Sequence, residues 1–283
     1  MVSHLKLTDR VCDIEWVDWA RVCVAVNDTI TIAQVSVTQR VEQLIPIKCH
    51  TDTIREIAGN KFNRALLASG GFDGTVHVTD ICKVHHDVMW KSSEKGQGVY
   101  CTCDSVVGSV RWHPTDPFLA SCTTDVGGVY IFDIREKPKR PAIEVDTGKY
   151  QLYTHEWIYD DTVLLGFGDG TISSYDIRKR KFTRSFSDQY ITAIGDIQLD
   201  KDSNNVAMFG ESEFTFWKVE YQSQTLNCWA HNKMDLPGSP RSKSGYATSG
   251  TFAPHLNGIV AVTDNVGKLA IYDYRAQCSA SED

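Results

Sequence analysis

The chain has 283 residues, 42% hydrophobic and 23% charged, with 29 basic against 36 acidic residues and a net charge of −7. This composition is not that of a disordered chain, and the acidic balance opposes nucleic-acid binding over the whole surface. No signal segment is evident and no apolar run reaches the roughly 18 residues of a membrane span, so with nine scattered cysteines we expect a cytoplasmic or nuclear protein.

Six segments of the chain repeat one order of short strands and tight turns. Alternating β-branched and aromatic residues predict the strands, and almost nothing follows the period of a helix. In the clearest copy, residues 54–81, Gly71-Phe72-Asp73-Gly74 predicts a hairpin turn because Asp and Gly tolerate positive φ angles. In chain order, the predicted repeats run near residues 11–47, 54–90, 109–145, 153–188, 191–231 and 247–275.

The spacing of these repeats is typical of β-propeller blades. The third strands are predicted to end at Gln34, Asp80, Asp133, Asp176, Lys218 and Asp273, which lie 42 to 55 residues apart. One blade takes about 40–45 residues. Fourth strands are predicted over residues 41–47, 181–187 and 225–231. Six four-stranded blades fit these distances, and seven blades are the alternative.

Several repeat positions resemble those of the WD-repeat family. His50, Ser69 and Asp73 match the hydrogen-bonded network that such blades often carry. No copy has a literal Trp-Asp at the position where this family carries that dipeptide. The pairs found there are Thr79-Asp80, Phe132-Asp133, Tyr175-Asp176, Trp217-Lys218 and Tyr272-Asp273. The resemblance implies an all-β fold, with residues 1–283 forming a single β-propeller.

The two ends of the sequence predict how the ring closes. Residues 276–283 are too few and too polar for a last strand, whereas residues 2–7 read as a short strand. We therefore expect residues 2–7 to complete the sixth blade, which removes exposed sheet edges. A ring left open and completed by the strands of a partner is the alternative.

The sequence carries no recognisable catalytic motif. It lacks a phosphate-binding Gly-rich loop, a nucleophile elbow and a His-Glu-x-x-His pair, so we expect a non-enzyme without cofactor or metal. His85-His86 with Cys101 and Cys103 suggests zinc, but the short Cys-x-Cys spacing favours two strand cysteines beside a solvated histidine pair. Acidic turn residues occur one per blade, so we interpret them as structural turn caps: Asp73, Asp125, Asp169 and Asp264.

Two basic turns predict a binding surface. Both follow third strands, in neighbouring repeats, so propeller geometry would place them side by side on one face. The basic residues are Arg135, Lys137, Lys139 and Arg140 in the first turn and Arg178, Lys179, Arg180 and Lys181 in the second. They could anchor an acidic or phosphorylated protein segment or RNA, or be solvated loops.

Other surface features leave further hypotheses open. Asp-x-Arg recurs at residues 133–135, 176–178 and 273–275, and resembles a box through which some WD-repeat substrate receptors dock on cullin ubiquitin ligases. Residues 91–104 and 232–246 are predicted long connections, and Ser239-Pro240 in the second is a candidate phosphorylation site.

The function predicted from these features is a protein-interaction scaffold, a subunit or substrate-presenting adaptor of a multiprotein complex. We expect protein partners and no small-molecule substrate. An RNA-binding propeller and a cullin-type substrate receptor are the alternatives.

Overall fold

The computed structural model describes residues 11–17, 21–35, 41–43, 46–82, 99–136, 141–149, 151–187, 193–200, 205–210, 213–220, 225–233, 247–252, 258–264 and 269–273. These residues form 24 β-strands in six antiparallel sheets, one for each predicted repeat. Six blades, rather than seven, are therefore confirmed. Within the same residues, no helix is long and apolar enough to cross a membrane. The chain divides into two compact units, residues 1–152 and 153–283.

Unit 1 contains the first three sheets. The first holds β1 (Val11–Trp16), β2 (Arg21–Val26), β3 (Thr29–Val35), β4 (Val41–Gln43) and β5 (Ile47–Lys48). The second holds β6 (Ile54–Gly59), β7 (Leu66–Gly71), β8 (Thr75–Asp80) and β9 (Val99–Thr102). The third holds β10 (Val107–Trp112), β11 (Leu119–Thr124), β12 (Gly128–Asp133) and β13 (Ile143–Asp146).

Two predicted details of unit 1 are corrected by the strand pairing. The fourth strand expected over residues 41–47 is split into β4 and β5, which both pair with β3. Pro46 lies between them and has no N–H to donate to the ladder. The second repeat does not end near residue 90, because its fourth strand is β9, which pairs with β8. The connection predicted over residues 91–104 therefore contains a strand.

Unit 2 contains the other three sheets. The fourth sheet holds β14 (Leu152–Tyr159), β15 (Thr162–Phe167), β16 (Thr171–Asp176) and β17 (Lys181–Ser187). The fifth holds β18 (Ile194–Asp200), β19 (Asn205–Gly210), β20 (Glu213–Glu220) and β21 (Thr225–Lys233). The sixth holds β22 (Ala247–Phe252), β23 (Ile259–Asp264) and β24 (Leu269–Asp273). Residues 2–7 lie outside the described residues, so ring closure by them stays a prediction.

The first strands of five sheets share a β-bulge near their beginning. The ladder shifts register at Val11/Asp13, Ile54/Glu56, Val107/Ser109, Ile194/Asp196 and Ala247/Ser249. A bulge reorients the side chain that follows it, and three of these side chains are carboxylates that bond the first strand of the next sheet. Asp13 accepts from Ile57 N at 2.8 Å, Glu56 from Val110 N at 2.6 Å and Asp196 from Ser249 Oγ at 2.7 Å. The repeated bulge thus joins neighbouring sheets within each unit.

Three of the unit 1 carboxylates lie close together beside one guanidinium. Glu15 Oε1 accepts a hydrogen bond from Gly59 N at 3.1 Å, and Arg111 forms an ion pair with Glu56. Burial raises the pKa of Glu15 from 4.5 to about 7, with a further increase from Glu56 and an opposing decrease from Arg111. Burial and then Glu56 also raise the pKa of Asp13 well above its usual value. Ionised Glu15 is therefore less favourable in the folded chain than in the unfolded chain.

Replacing Glu15 by glutamine should stabilise the protein above neutral pH. The raised pKa means that no penalty exists below pH 4.5, that the penalty grows between pH 4.5 and 7, and that it is complete above pH 7. We expect Glu15→Gln to add about 2 kcal/mol to the free energy of unfolding at pH 8 and little at pH 4.5. Urea unfolding at both pH values measures this. Glu136→Gln, at an exposed turn position, is the control, and an equal effect of the two variants at pH 8 would contradict the account.

Candidate functional site

A buried asparagine joins two turns of unit 1 by a hydrogen bond. Asn60 follows β6 and is 1% exposed; its Nδ2 donates to Pro117 O at 2.8 Å in the turn between β10 and β11. Its Oδ1 accepts from Phe62 N at 2.9 Å and from Asn63 N at 3.0 Å. Asn60 therefore fixes its own turn and holds the next turn beside it.

These turns present exposed aromatic rings at one end of the sheets. Phe62 is 50% exposed and Phe118 is 41% exposed. Lys61 Nζ lies 4.8 Å from the centroid of the Phe62 ring, and the Arg135 guanidinium lies 4.8 Å from that of Phe118. Each exposed ring thus has a cation over one face, and this cation–π contact is favourable at the surface. We call Phe62 and Phe118, with Lys61 and Arg135, the turn surface.

Trp16 is an exposed aromatic residue of the first sheet, on the face of β1 that points away from β6. It is 62% exposed at the end of β1. Its neighbours in the chain, Glu15 and Val17, both lie against Gly59 at the end of β6.

Arg135 is the one residue of the first predicted basic turn that lies within the described residues. Its Nε donates to Asp133 Oδ1 at 2.8 Å, and this contact lowers the pKa of the Asp133 carboxyl. The other three, Lys137, Lys139 and Arg140, lie outside those residues. The charge of Arg135 is therefore already paired, and its guanidinium covers Phe118.

The second predicted basic turn lies between β16 and β17 in unit 2, and all four of its residues are exposed. Lys179 Nζ donates to Asp176 Oδ2 at 2.8 Å, and Arg178 Nε lies 3.7 Å from Asp161 Oδ2. Arg180 has a positive φ of 50°, and Lys181 begins β17. The two basic turns belong to different units, so their predicted side-by-side position stays a prediction. Their ion pairs reduce the charge on which the RNA hypothesis depends.

His50, Ser69 and Asp73 are brought together in the second sheet. His50 Nε2 lies 2.9 Å from Ser69 Oγ, and His50 Nδ1 lies 3.0 Å from Asp73 Oδ2. Asp73 also accepts from Thr51 N at 2.9 Å and Thr75 N at 3.0 Å. Although burial opposes it, these donors lower the pKa of Asp73 to about 2. Burial lowers the pKa of His50, which keeps its imidazole neutral at neutral pH.

His77 joins this cluster, although no sequence motif singles it out. Its ring lies on β8 with its centroid 4.5 Å from that of His50. His77 is 8% exposed, and burial followed by the His50 charge lowers its pKa to about 4. One ligand atom from each of His50, Asp73 and His77 lies within 4.8 Å of the others.

The other predicted site residues are scattered. Asp169 Oδ1 caps its turn by accepting from Thr171 N at 2.8 Å. Asp125 Oδ1 is buried and, within the part of the chain that the structure describes, has no hydrogen-bond partner. Ser239, His85, His86, Arg275 and the Asp264 side chain lie outside the described residues. The connection predicted over residues 232–246 begins later, because β21 continues to Lys233.

Cys101 and Cys103 are strand-end thiols whose surroundings the sequence did not predict. Their Sγ atoms lie 3.9 Å apart, and Cys103 Sγ lies 3.6 Å from Cys122 Sγ in the third sheet. The contact with Cys103 and then burial raise the pKa of Cys101. At Cys103 the contact with Cys101 lowers the pKa, but the contact with Cys122 and burial outweigh it and raise the pKa above its usual value. At neutral pH these thiols are protonated and poorly nucleophilic.

Comparison with known proteins identifies one repeat by its sequence. The family model "WD domain, G-beta repeat" matches residues 41–80, from β4 to β8. Cytoplasmic dynein 2 intermediate chain 2 of Mus musculus is 22% identical over 147 residues, 48% of this chain and 26% of the relative. The Homo sapiens protein is 24% identical over 132 residues, 45% of this chain and 23% of the relative. The chain thus spans about a quarter of the length of these curated relatives.

Solved structures resemble the whole fold. A chain in the crystal structure of a mitotic checkpoint complex aligns with a TM-score of 0.73 at 15% identity, over 95% of this chain and 76% of that chain. A chain of the COPII outer coat vertex on membranes aligns with a TM-score of 0.80 at 15% identity, over 96% of this chain and 71% of that chain. At this identity the likeness shows the fold, and with the six sheets it confirms the all-β propeller.

Proposed function

We propose that this chain, a β-propeller with a WD-repeat match over residues 41–80, is a non-catalytic scaffold or substrate-presenting adaptor in a multiprotein complex. The observation that carries this proposal is the turn surface, where the second and third sheets of unit 1 present exposed aromatic residues in neighbouring turns. Aromatic side chains dominate the binding energy of protein interfaces, and they prefer to be buried by a partner.

The chemistry of the turn surface favours a protein partner over a nucleic acid. Lys61 and Arg135 already contact aromatic rings, and Arg135 is paired with Asp133. A rim of paired charges around apolar rings is the usual anatomy of a protein interface. Backbone recognition of RNA would instead require unpaired cations.

The compared structures and the cysteines give further support. The mitotic checkpoint complex and the COPII outer coat are multiprotein assemblies. We propose a cytoplasmic or nuclear location, since the seven cysteines whose side chains the structure describes are free thiols. Cys103 and Cys122 are unbonded even with their Sγ atoms 3.6 Å apart, as expected in a reducing compartment.

A double substitution should remove binding through the turn surface. The tagged full chain and its Phe62→Ser/Phe118→Ser variant are compared by affinity capture and mass spectrometry, followed by binding measurements with each partner recovered. We expect at least a tenfold loss of affinity, because central aromatic residues contribute about 2 kcal/mol or more to an interface.

The matched control is Phe72→Ser. Phe72 is 46% exposed in the turn between β7 and β8, at the opposite end of strand β7 from Phe62. The Phe72→Ser variant should bind the same partners as the unmodified chain. If the double variant keeps every partner at unchanged affinity, or if nuclease treatment releases them all, the proposal is wrong.

A further inference from the structure

The outer strand of the fourth sheet, β17, has an open edge. The strand order of this sheet is β14-β15-β16-β17, so no strand of the described residues pairs with the second edge of β17. Five of its seven residues are exposed and the other two are half-buried, whereas β16 beside it is buried at five of its six positions. An open edge carries unpaired backbone N–H and C=O groups, which can pair with an added strand.

Aromatic contacts on both faces hold β17 in place. Phe182 lies opposite Tyr175 in the ladder, and their rings meet edge to face with centroids 5.2 Å apart. Phe186 is on the other face, where its ring centroid lies 6.4 Å from that of Trp217 in the fifth sheet. Because these contacts already order the strand, a segment that pairs with its edge binds with a smaller loss of conformational entropy.

A β-bulge places the two cations of β17 on one face. Lys181 and Arg184 are three residues apart, so in a regular strand they would lie on opposite faces. The register shift between Ser174 and Tyr175 inserts one extra residue into β17. Lys181 therefore lies opposite Asp176 in β16. Arg184 lies opposite Ser174, which is on the same face as Asp176, so the two cations share that face.

The positive charge of this edge is only partly paired. β17 contains no acidic residue. Two cations of the turn before it have acidic partners, but neither Arg180 nor Lys181 forms an ion pair among the described residues. The outer strand of the third sheet, β13, has the opposite character, since it carries exposed Glu144 and Asp146. Opposite charges on paired strands are stabilising and like charges are destabilising, so β17 favours an acidic strand.

We propose that β17 is a docking edge for an extended acidic segment of a partner protein, which pairs with the fourth sheet as an additional strand. Alternate side chains of such a segment share one face. A segment in which acidic and uncharged residues alternate therefore places its carboxylates on the face of Lys181 and Arg184. Backbone hydrogen bonds supply the affinity, and the carboxylates supply the selectivity. The edge lies in unit 2, so the proposal does not depend on the turn surface.

Peptide titration of the full chain tests this edge. The probe is a fluorescent peptide of about nine residues in which glutamate alternates with threonine, and anisotropy measures its binding. We expect Lys181→Glu/Arg184→Glu to weaken binding by about tenfold or more, because like charges then face each other across the paired strands. Lys48→Glu/Arg64→Glu is the matched control, since it changes the net charge equally at exposed positions of unit 1. Its affinity for the peptide should equal that of the unmodified chain.

A second peptide separates strand pairing from simple charge attraction on the unmodified chain. The same sequence with N-methylated backbone amides keeps its carboxylates but cannot donate backbone hydrogen bonds, so it should bind about tenfold more weakly or worse. Equal affinity of the two peptides, or unchanged binding to Lys181→Glu/Arg184→Glu, would overturn the proposal. Self-association of the chain that this double variant abolishes would assign the edge to a second copy instead. Tighter binding of a single-stranded RNA of equal charge would assign it to a nucleic acid.

Discussion

Replacing Glu56 by alanine is expected to destabilise the protein by about 3 kcal/mol, because the largely buried Arg111 guanidinium loses its ion pair with Glu56. Glu56 Oε2 accepts from Val110 N at 2.6 Å, and Glu56 also pairs with Arg111. Both groups belong to the first strand of the next sheet. Alanine would therefore remove the carboxylate that accepts from the buried Val110 amide and pairs with Arg111, and with it this link between the second and third sheets.

Two companion variants separate charge from hydrogen bonding at this position. Glu56→Gln keeps an acceptor for Val110 N, so we expect it to lower the free energy of unfolding by about half as much as Glu56→Ala does. Glu56→Gln/Arg111→Met removes both charges and should recover part of that loss, since a buried ion pair can be replaced by apolar packing. Guanidinium unfolding at pH 7 measures all three variants. An alanine variant as stable as the unmodified chain would show that the carboxylate does not join the sheets.

Replacing Gly70 by valine is expected to cost about 3 kcal/mol or more, because the new side chain would overlap the next sheet. A Cβ atom on Gly70 would lie 2.4 Å from Val107 Cγ1 and 2.9 Å from Val110 Cγ1. Normal carbon contacts are about 3.5–4.0 Å. The strands β7 and β10 would have to separate to accommodate it. The decrease in the thermal unfolding midpoint of Gly70→Val, relative to the unmodified full chain, measures this loss of stability.

Rescue and control variants make this prediction specific. Val107→Ala removes the nearest methyl groups, so Gly70→Ala/Val107→Ala should be more stable than the sum of the single losses predicts. Gly148→Ala is the control, since no atom lies within 4 Å of the Cβ position there. The open space leaves only the cost of placing alanine at a positive φ of 67°, about 1 kcal/mol. Additive losses in the double variant would contradict the proposed contact between the sheets.

The hairpins and blades could be predicted from the sequence because they depend on local signals. Gly74 and Gly170 adopt positive φ angles of 70° and 75° in the turns that Asp-Gly predicted. The fourth strands predicted over residues 181–187 and 225–231 agree with β17 and β21 almost to the residue. By contrast, β9 follows β8 after 18 intervening residues, far more than a hairpin turn contains.

The candidate sites depended on long-range pairing that local patterns do not encode. His77 meets His50 because β8 pairs with β7 while His50 lies before β6. Cys122 meets Cys103 because neighbouring sheets pack together. Phe62 and Phe118 look like isolated apolar residues in polar turns, and their common position follows from the Asn60 contact to Pro117. An aromatic residue in otherwise polar turns of successive repeats was the available signal.

Hydrogen–deuterium exchange of the full chain, alone and with a partner recovered by affinity capture, tests the scaffold proposal most directly. The turn surface predicts slower exchange in the complex at residues 60–65 and 113–118, and unchanged exchange in the hairpin at residues 71–74. Protection confined to residues 71–74, with no change at the two turns joined by Asn60, would contradict the assignment of the turn surface as the binding site.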